Sequence, residues 1–112
     1  MDRLDQLFSR SLREIEAHAT EVAATETGRY FIDEAAHLLA GLRLWAQTQY
    51  RSDQVVRDLL ETVDPAALRD VARKLREMNA RDAKVASWSV EAMANWPPDQ
   101  LMAVASYALR AL

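Results

Sequence analysis

Residues 29–46, RYFIDEAAHLLAGLRLWA, decide how the rest of the chain is read. At about 100° per residue, Phe31, Ala35, Leu38, Leu42 and Trp45 fall on one helical stripe. Ile32, Leu39, Leu44 and Ala46 widen that stripe over much of the circumference. A helix apolar on so many sides is touched by several neighbours, so a helix beginning near Arg29 is expected at the centre of a bundle. The whole chain carries the same bias. It has 20 Ala and 14 Leu against 8 Val and 2 Ile, and only 2 Gly for tight turns. Straight-chain and small residues favour helix, and hairpins need more turn residues than this. The expectation is all-α, a compact bundle of four to five helices forming one domain over residues 1–112.

Downstream, the apolar phase continues through Val56, Leu60 and Val63, but Gln49 and Asp53 interrupt it. A break at Ser52-Asp53, with either residue as N-cap of a short helix to Thr62, is expected; one continuous helix is the alternative. Val63-Asp64-Pro65 is the strongest boundary. Asp64 can cap a helix, and Pro65 suits its first position, where no N–H is needed. The next helix turns Leu68, Val71, Leu75 and Met78 inward. Running straight to Trp96 it would span roughly 45 Å. A break near Asn79-Ala80-Arg81, with Asp82 capping a further helix, is expected instead, and Val85, Ala86, Ser89, Met93 and Trp96 would line that helix's inner stripe. Trp96-Pro97-Pro98 stops it. A last helix, Asp99 to Leu112, has Leu101, Val104, Ala105, Ala108, Leu109 and Leu112 on one face and a weakly polar opposite face. Upstream, Leu4, Phe8, Leu12, Ile15, Ala19 and Val22 make an amphipathic helix from Arg3 to Ala24, with Gly28 as the expected stop after it. The pattern Pro65-x-x-Leu68-x-x-Val71-Ala72 recurs as Pro98-x-x-Leu101-x-x-Val104-Ala105, an echo that any proline-started amphipathic helix would show.

Several function classes drop out. Without cysteine there is no disulfide framework and no thiolate metal site. No apolar run reaches the ~18–20 residues of a membrane span, and the start, MDRLDQLF, is acidic where a signal peptide is basic, so a cytoplasmic protein is expected. No nucleophile elbow, zinc helix or glycine-rich phosphate loop is present. A non-enzymatic protein without cofactor or metal is the expectation. Glu34-Ala-Ala-His37 has the spacing of half a di-iron site, but the second Glu-x-x-His such a site needs is missing: Glu14 and His18 stand four apart. Both histidines read as ordinary hydrogen-bonding residues at helix edges.

Two features point to contact with other molecules. Between Arg69 and Lys84 lie six basic and three acidic residues, although the chain carries −3 overall. Asp70–Lys74 and Glu77–Arg81 are favourable i, i+4 pairs, which leaves Arg69, Arg73, Arg76 and Lys84 within an arc of about 80° on an unbroken helix, an arc that Lys84 leaves if the helix breaks at Asn79. Such a face commonly serves only to keep a helix in water. Its functional readings are phosphate contact, as an accessory subunit riding non-specifically on a nucleic-acid backbone, or an acidic protein partner. The second feature is an apolar excess in a short chain. Leu44, Trp88, Leu101, Val104, Leu109 and Leu112 are the expected protein interface of a homo-oligomer or of a small subunit in a larger assembly.

Overall fold

Seven helices run through residues 2–112, the part of the chain that the computed structural model describes. They are α1 (Arg3–Ala17), α2 (Thr20–Ala23), α3 (Glu26–Thr48), α4 (Asp53–Thr62), α5 (Pro65–Glu77), α6 (Arg81–Ala94) and α7 (Pro98–Leu109). No strand occurs among the described residues. The chain is all-α, with more and shorter helices than the four or five expected. The central position of α3 is as expected: it touches all six other helices. Ala35, Ala36, Ala40, Gly41 and Ala46 are all buried on it, and such small side chains let neighbours approach closely from several directions. Among the described residues no helix is long and apolar enough to cross a membrane.

Most helix ends follow local chemistry. Ser52 accepts from the Gln54 N–H at 3.3 Å and starts α4, so the chain breaks where the stripe was interrupted. Asp64 accepts from the Ala66 N–H at 3.0 Å and Pro65 occupies the first turn of α5. Because Asp64 precedes a proline it is held extended, and Val63 must turn the chain alone, at φ 49°. A β-branched residue there is strained. At the end of α3 the Tyr50 N–H donates to the Gln47 carbonyl and the Arg51 N–H to the Ala46 carbonyl at 2.9 Å. This is a Schellman ending with Tyr50, at φ 54°, where glycine is usual.

Three expectations need correction. The first helix ends at Ala17, not Ala24, and a single turn, α2, follows after His18-Ala19. Arg110, beyond the end of α7, donates to the His18 carbonyl at 3.4 Å and lies 3.7 Å from Glu21, so the break is held from the far end of the chain. Gly28 does not stop a helix. It lies in the first turn of α3, where the Thr25 hydroxyl accepts from its N–H at 2.9 Å. Its glycine character is needed because a Cβ there would stand 1.9 Å from the Val22 carbonyl oxygen. Gly28→Ala should therefore lose about 1–3 kcal/mol to overpacking, against a gain of about 0.5–1 kcal/mol in helix propensity. A net drop in Tm on thermal unfolding is expected, and a rise would show that the α2–α3 turn yields freely. Finally, Asp82 does not cap α6. The helix starts two residues earlier, with Ala80 in the cap position, and Asp82 accepts from the Ala83 N–H at 2.8 Å inside the first turn.

Candidate interaction surface

The expected basic face is divided by the break between α5 and α6. The Arg69 guanidinium donates to Asn95 Oδ1 at 3.2 and 3.3 Å. Arg73 is paired with Asp70 and, at 3.3 Å, with Glu77, while Arg76 is paired with Glu91. Lys74 lies 3.1 Å from Asp70. The Arg73 hydrogen bond, and then that of Lys74, hold the Asp70 carboxyl below the usual carboxylate range; Asp70 in turn raises Arg73. Arg69 and Arg76 thus tie α5 to α6. The expected Glu77–Arg81 pair does not form, because the helix ends at Glu77 and its carboxylate takes Arg73. Lys84 leaves the arc altogether and stands on α6 beside Arg81. Neither Lys84 nor Arg81 has an ion-pair or hydrogen-bond partner for its side chain among the described residues.

The expected apolar interface is divided as well. Leu44, Leu101 and Val104 are buried in the chain's own core and offer no surface to a partner. The reason is the small-residue packing around α3, on which α7 rests with Leu101, Val104, Ala105 and Ala108 inward. Leu109 and Leu112 are partly buried at the core's margin. Trp88 alone of the six stands clear, 65% exposed.

Around Trp88 the sequence builds a helix with two working faces. Ala83, Ala86, Ser87, Val90 and Met93 are buried on one side of α6. Arg81, Lys84, Val85 and Trp88 recur at i, i+3, i+4 and i+7 on the other, all exposed. Val85, expected on the inner stripe, is 38% exposed. A hollow of about 340 Å³ is lined by Asn79, Ala80, Arg81, Lys84, Val85 and Trp88. A second, of about 280 Å³, lies between α6 and the start of α1, lined by Leu4, Asp5, Phe8, His37, Ser89 and again Val85. Phe8 stacks on the His37 ring at 4.3 Å between centroids, and His37 Nε2 lies 3.6 Å from Asp33. His37 is thereby an edge residue packed under the groove. Val85 lines both hollows, which adjoin along α6 as one groove; α1 borders only the second.

One polar centre escaped the sequence reading. Arg43, on α3, is 2% exposed. Its Nη1 donates to Ser11 Oγ at 3.0 Å and Glu14 Oε1 at 3.1 Å, and its Nη2 to Glu14 Oε2 at 3.2 Å and Asp53 Oδ2 at 3.5 Å. Burial pushes the Glu14 carboxyl up, but Arg43 and Arg10 outweigh it and hold the group below its ordinary value of 4.5. A lone cation in an apolar run was the available signal. The network joins α1, α3 and α4 and is structural in kind, since its charges are turned on one another.

Comparison with known protein families, with curated proteins and with solved structures found no match to this chain.

Proposed function

We propose that this chain is a non-enzymatic helical interaction module, a small subunit that binds another protein through the outer face of α6. The observation that carries this reading is Trp88, 65% exposed on a helix whose inner face already completes the core. Folding alone does not require an indole there. Exposed tryptophan beside a hollow, rimmed by arginine and lysine, has the composition of an interface hot spot. The charged face favours this over the nucleic-acid backbone. Arg73 and Arg76 already hold carboxylates and Arg69 holds Asn95, so only Lys84 of the four expected phosphate ligands stands unpaired among the described residues.

A photo-crosslinking amino acid at position 88, in the native host, tests it. A discrete adduct is expected at 88 and not at Tyr50, which is 99% exposed but isolated at a helix junction. The adduct's mass separates a second copy of the chain from a different protein. No discrete adduct at 88, or the same ladder at both positions, would overturn the reading.

A further inference from the structure

We infer that the element seated on α6 is an amphipathic helix of a partner protein, with apolar side chains entering the two hollows flanking Val85 and carboxylates facing Arg81 and Lys84. The inference rests on the proposed interaction surface and adds the chemistry of its occupant. The second hollow lies in a furrow between two helices, α1 and α6, and such a furrow is the usual seat for a third. Residues four apart on a helix are about 6 Å apart along its axis. Lys84 and Trp88 border the first hollow with that separation, and side chains at i and i+3 or i+4 of a partner helix match it.

Charge then selects among helices. Among the described residues, nine of the 14 cations of the chain have a hydrogen-bond or ion-pair partner; Arg13, Arg51, Arg57, Arg81 and Lys84 have none there. Two of those five stand together at the tryptophan hollow. They sit at the start of α6, where Asp82 already takes the Ala83 N–H and offsets the helix dipole, so the positive charge on offer is that of the two side chains. These two cations favour a carboxylate on the incoming helix. A nucleic-acid strand would find an indole to stack on but only this pair of cations, on a chain of net charge −3.

Selection from a displayed library of neutral-scaffold helical peptides, randomised on one face, tests the inference. Wild-type chain is the bait and Trp88→Ser the counter-bait. Every changed side chain is exposed, so Trp88→Ser and Arg81→Glu/Lys84→Glu are expected to keep the wild-type Tm, which is measured first. Enriched peptides should carry apolar residues three or four apart with Asp or Glu one turn away. Their affinity should fall about tenfold or more on Arg81→Glu/Lys84→Glu and recover when the peptide carboxylates become lysine. Enrichment of apolar peptides indifferent to that swap would overturn the acidic partner and leave the interaction surface standing. Self-association in a light-scattering concentration series, abolished by Trp88→Ser, would assign the groove to a second copy and overturn the inference. Salt-sensitive binding of oligothymidylate, lost in the same variant, would overturn it in favour of nucleic acid. Failure to enrich any peptide that distinguishes wild type from Trp88→Ser also overturns it, and with no adduct at position 88 the interaction reading falls too.

Discussion

Glu14→Ala is expected to cost the fold about 3 kcal/mol, the low end of the range for stranding one member of a buried ion pair. The member stranded is Arg43, whose guanidinium is 2% exposed and would keep only Ser11 at 3.0 Å and Asp53 at 3.5 Å. Glu14 itself is 31% exposed, so water can enter its place and the loss stays below the upper part of the range. The mirror variant should behave differently. Arg43→Met removes the buried charge together with its Nε, a buried donor without a partner, and keeps most of the apolar stalk. Glu14 then still has Arg10 at 3.0 Å and solvent, so the expected loss is about 1 kcal/mol or less. Urea unfolding of both variants decides this, and equal losses would mean that the pair acts as a unit. The pH dependence follows from the same geometry. Glu14 has a folded pKa below its ordinary 4.5, so its contribution is present above that value and is lost as pH falls below it, through the folded pKa. Glu14→Gln should flatten the acid limb of stability plotted against pH below about 4.5. An unchanged limb would assign acid sensitivity to other carboxylates.

The helix ends that could be read in the sequence are those whose cause lies within a few residues. Ser52, Asp64-Pro65 and Pro97-Pro98 act on the N–H groups and φ angles next to them, and the chain breaks at each. The division of α1 from α2 was not legible, because Arg110 secures it across 92 residues. The partners of the basic face were likewise out of sight: Glu91 and Asn95 belong to or follow α6, and reach Arg76 and Arg69 only once α5 and α6 fold back on each other. The apolar excess was overestimated for a packing reason. Alanines and Gly41 on α3 shorten interhelical distances, so Leu44, Leu101 and Val104 find room inside. Trp88 survives as a surface residue because it stood off the apolar stripe of its helix, a local fact. Arg81 and Val85 joined it only when the break at Asn79-Ala80 reset the face that α6 turns outward.

The position of that face depends on Gly41. A Cβ on Gly41 would lie 2.9 Å from Val90 Cγ2, but 3.7 and 3.8 Å from the carbonyl oxygen and Cβ of Ala86, which are ordinary contacts. The tight point is therefore one methyl group of one valine, and the backbone of α6 stands just behind it. Gly41→Leu has nowhere to place its branch without pushing α6 off α3, and a loss of about 3 kcal/mol or more is expected, at or above the upper end of ordinary overpacking. Gly41→Ala is milder: relief of about 1 kcal/mol in helix propensity opposes the clash. Val90→Ala alone should cost about 2 kcal/mol in lost burial and cavity. Together the two small changes should cost less than their sum, by at least about 0.5 kcal/mol, because the new methyl occupies space that the lost one vacated. Additivity within about 0.3 kcal/mol would mean that α6 is not seated by this contact. Trp88 supplies the functional half of the test, since it rides on the same helix. With Trp45 and Trp96 replaced by phenylalanine, its emission should change in Gly41→Leu, where α6 is displaced, and return toward the parent in Gly41→Ala/Val90→Ala. Emission unchanged in Gly41→Leu despite the loss of stability would separate the seating of α6 from the shape of the groove it presents.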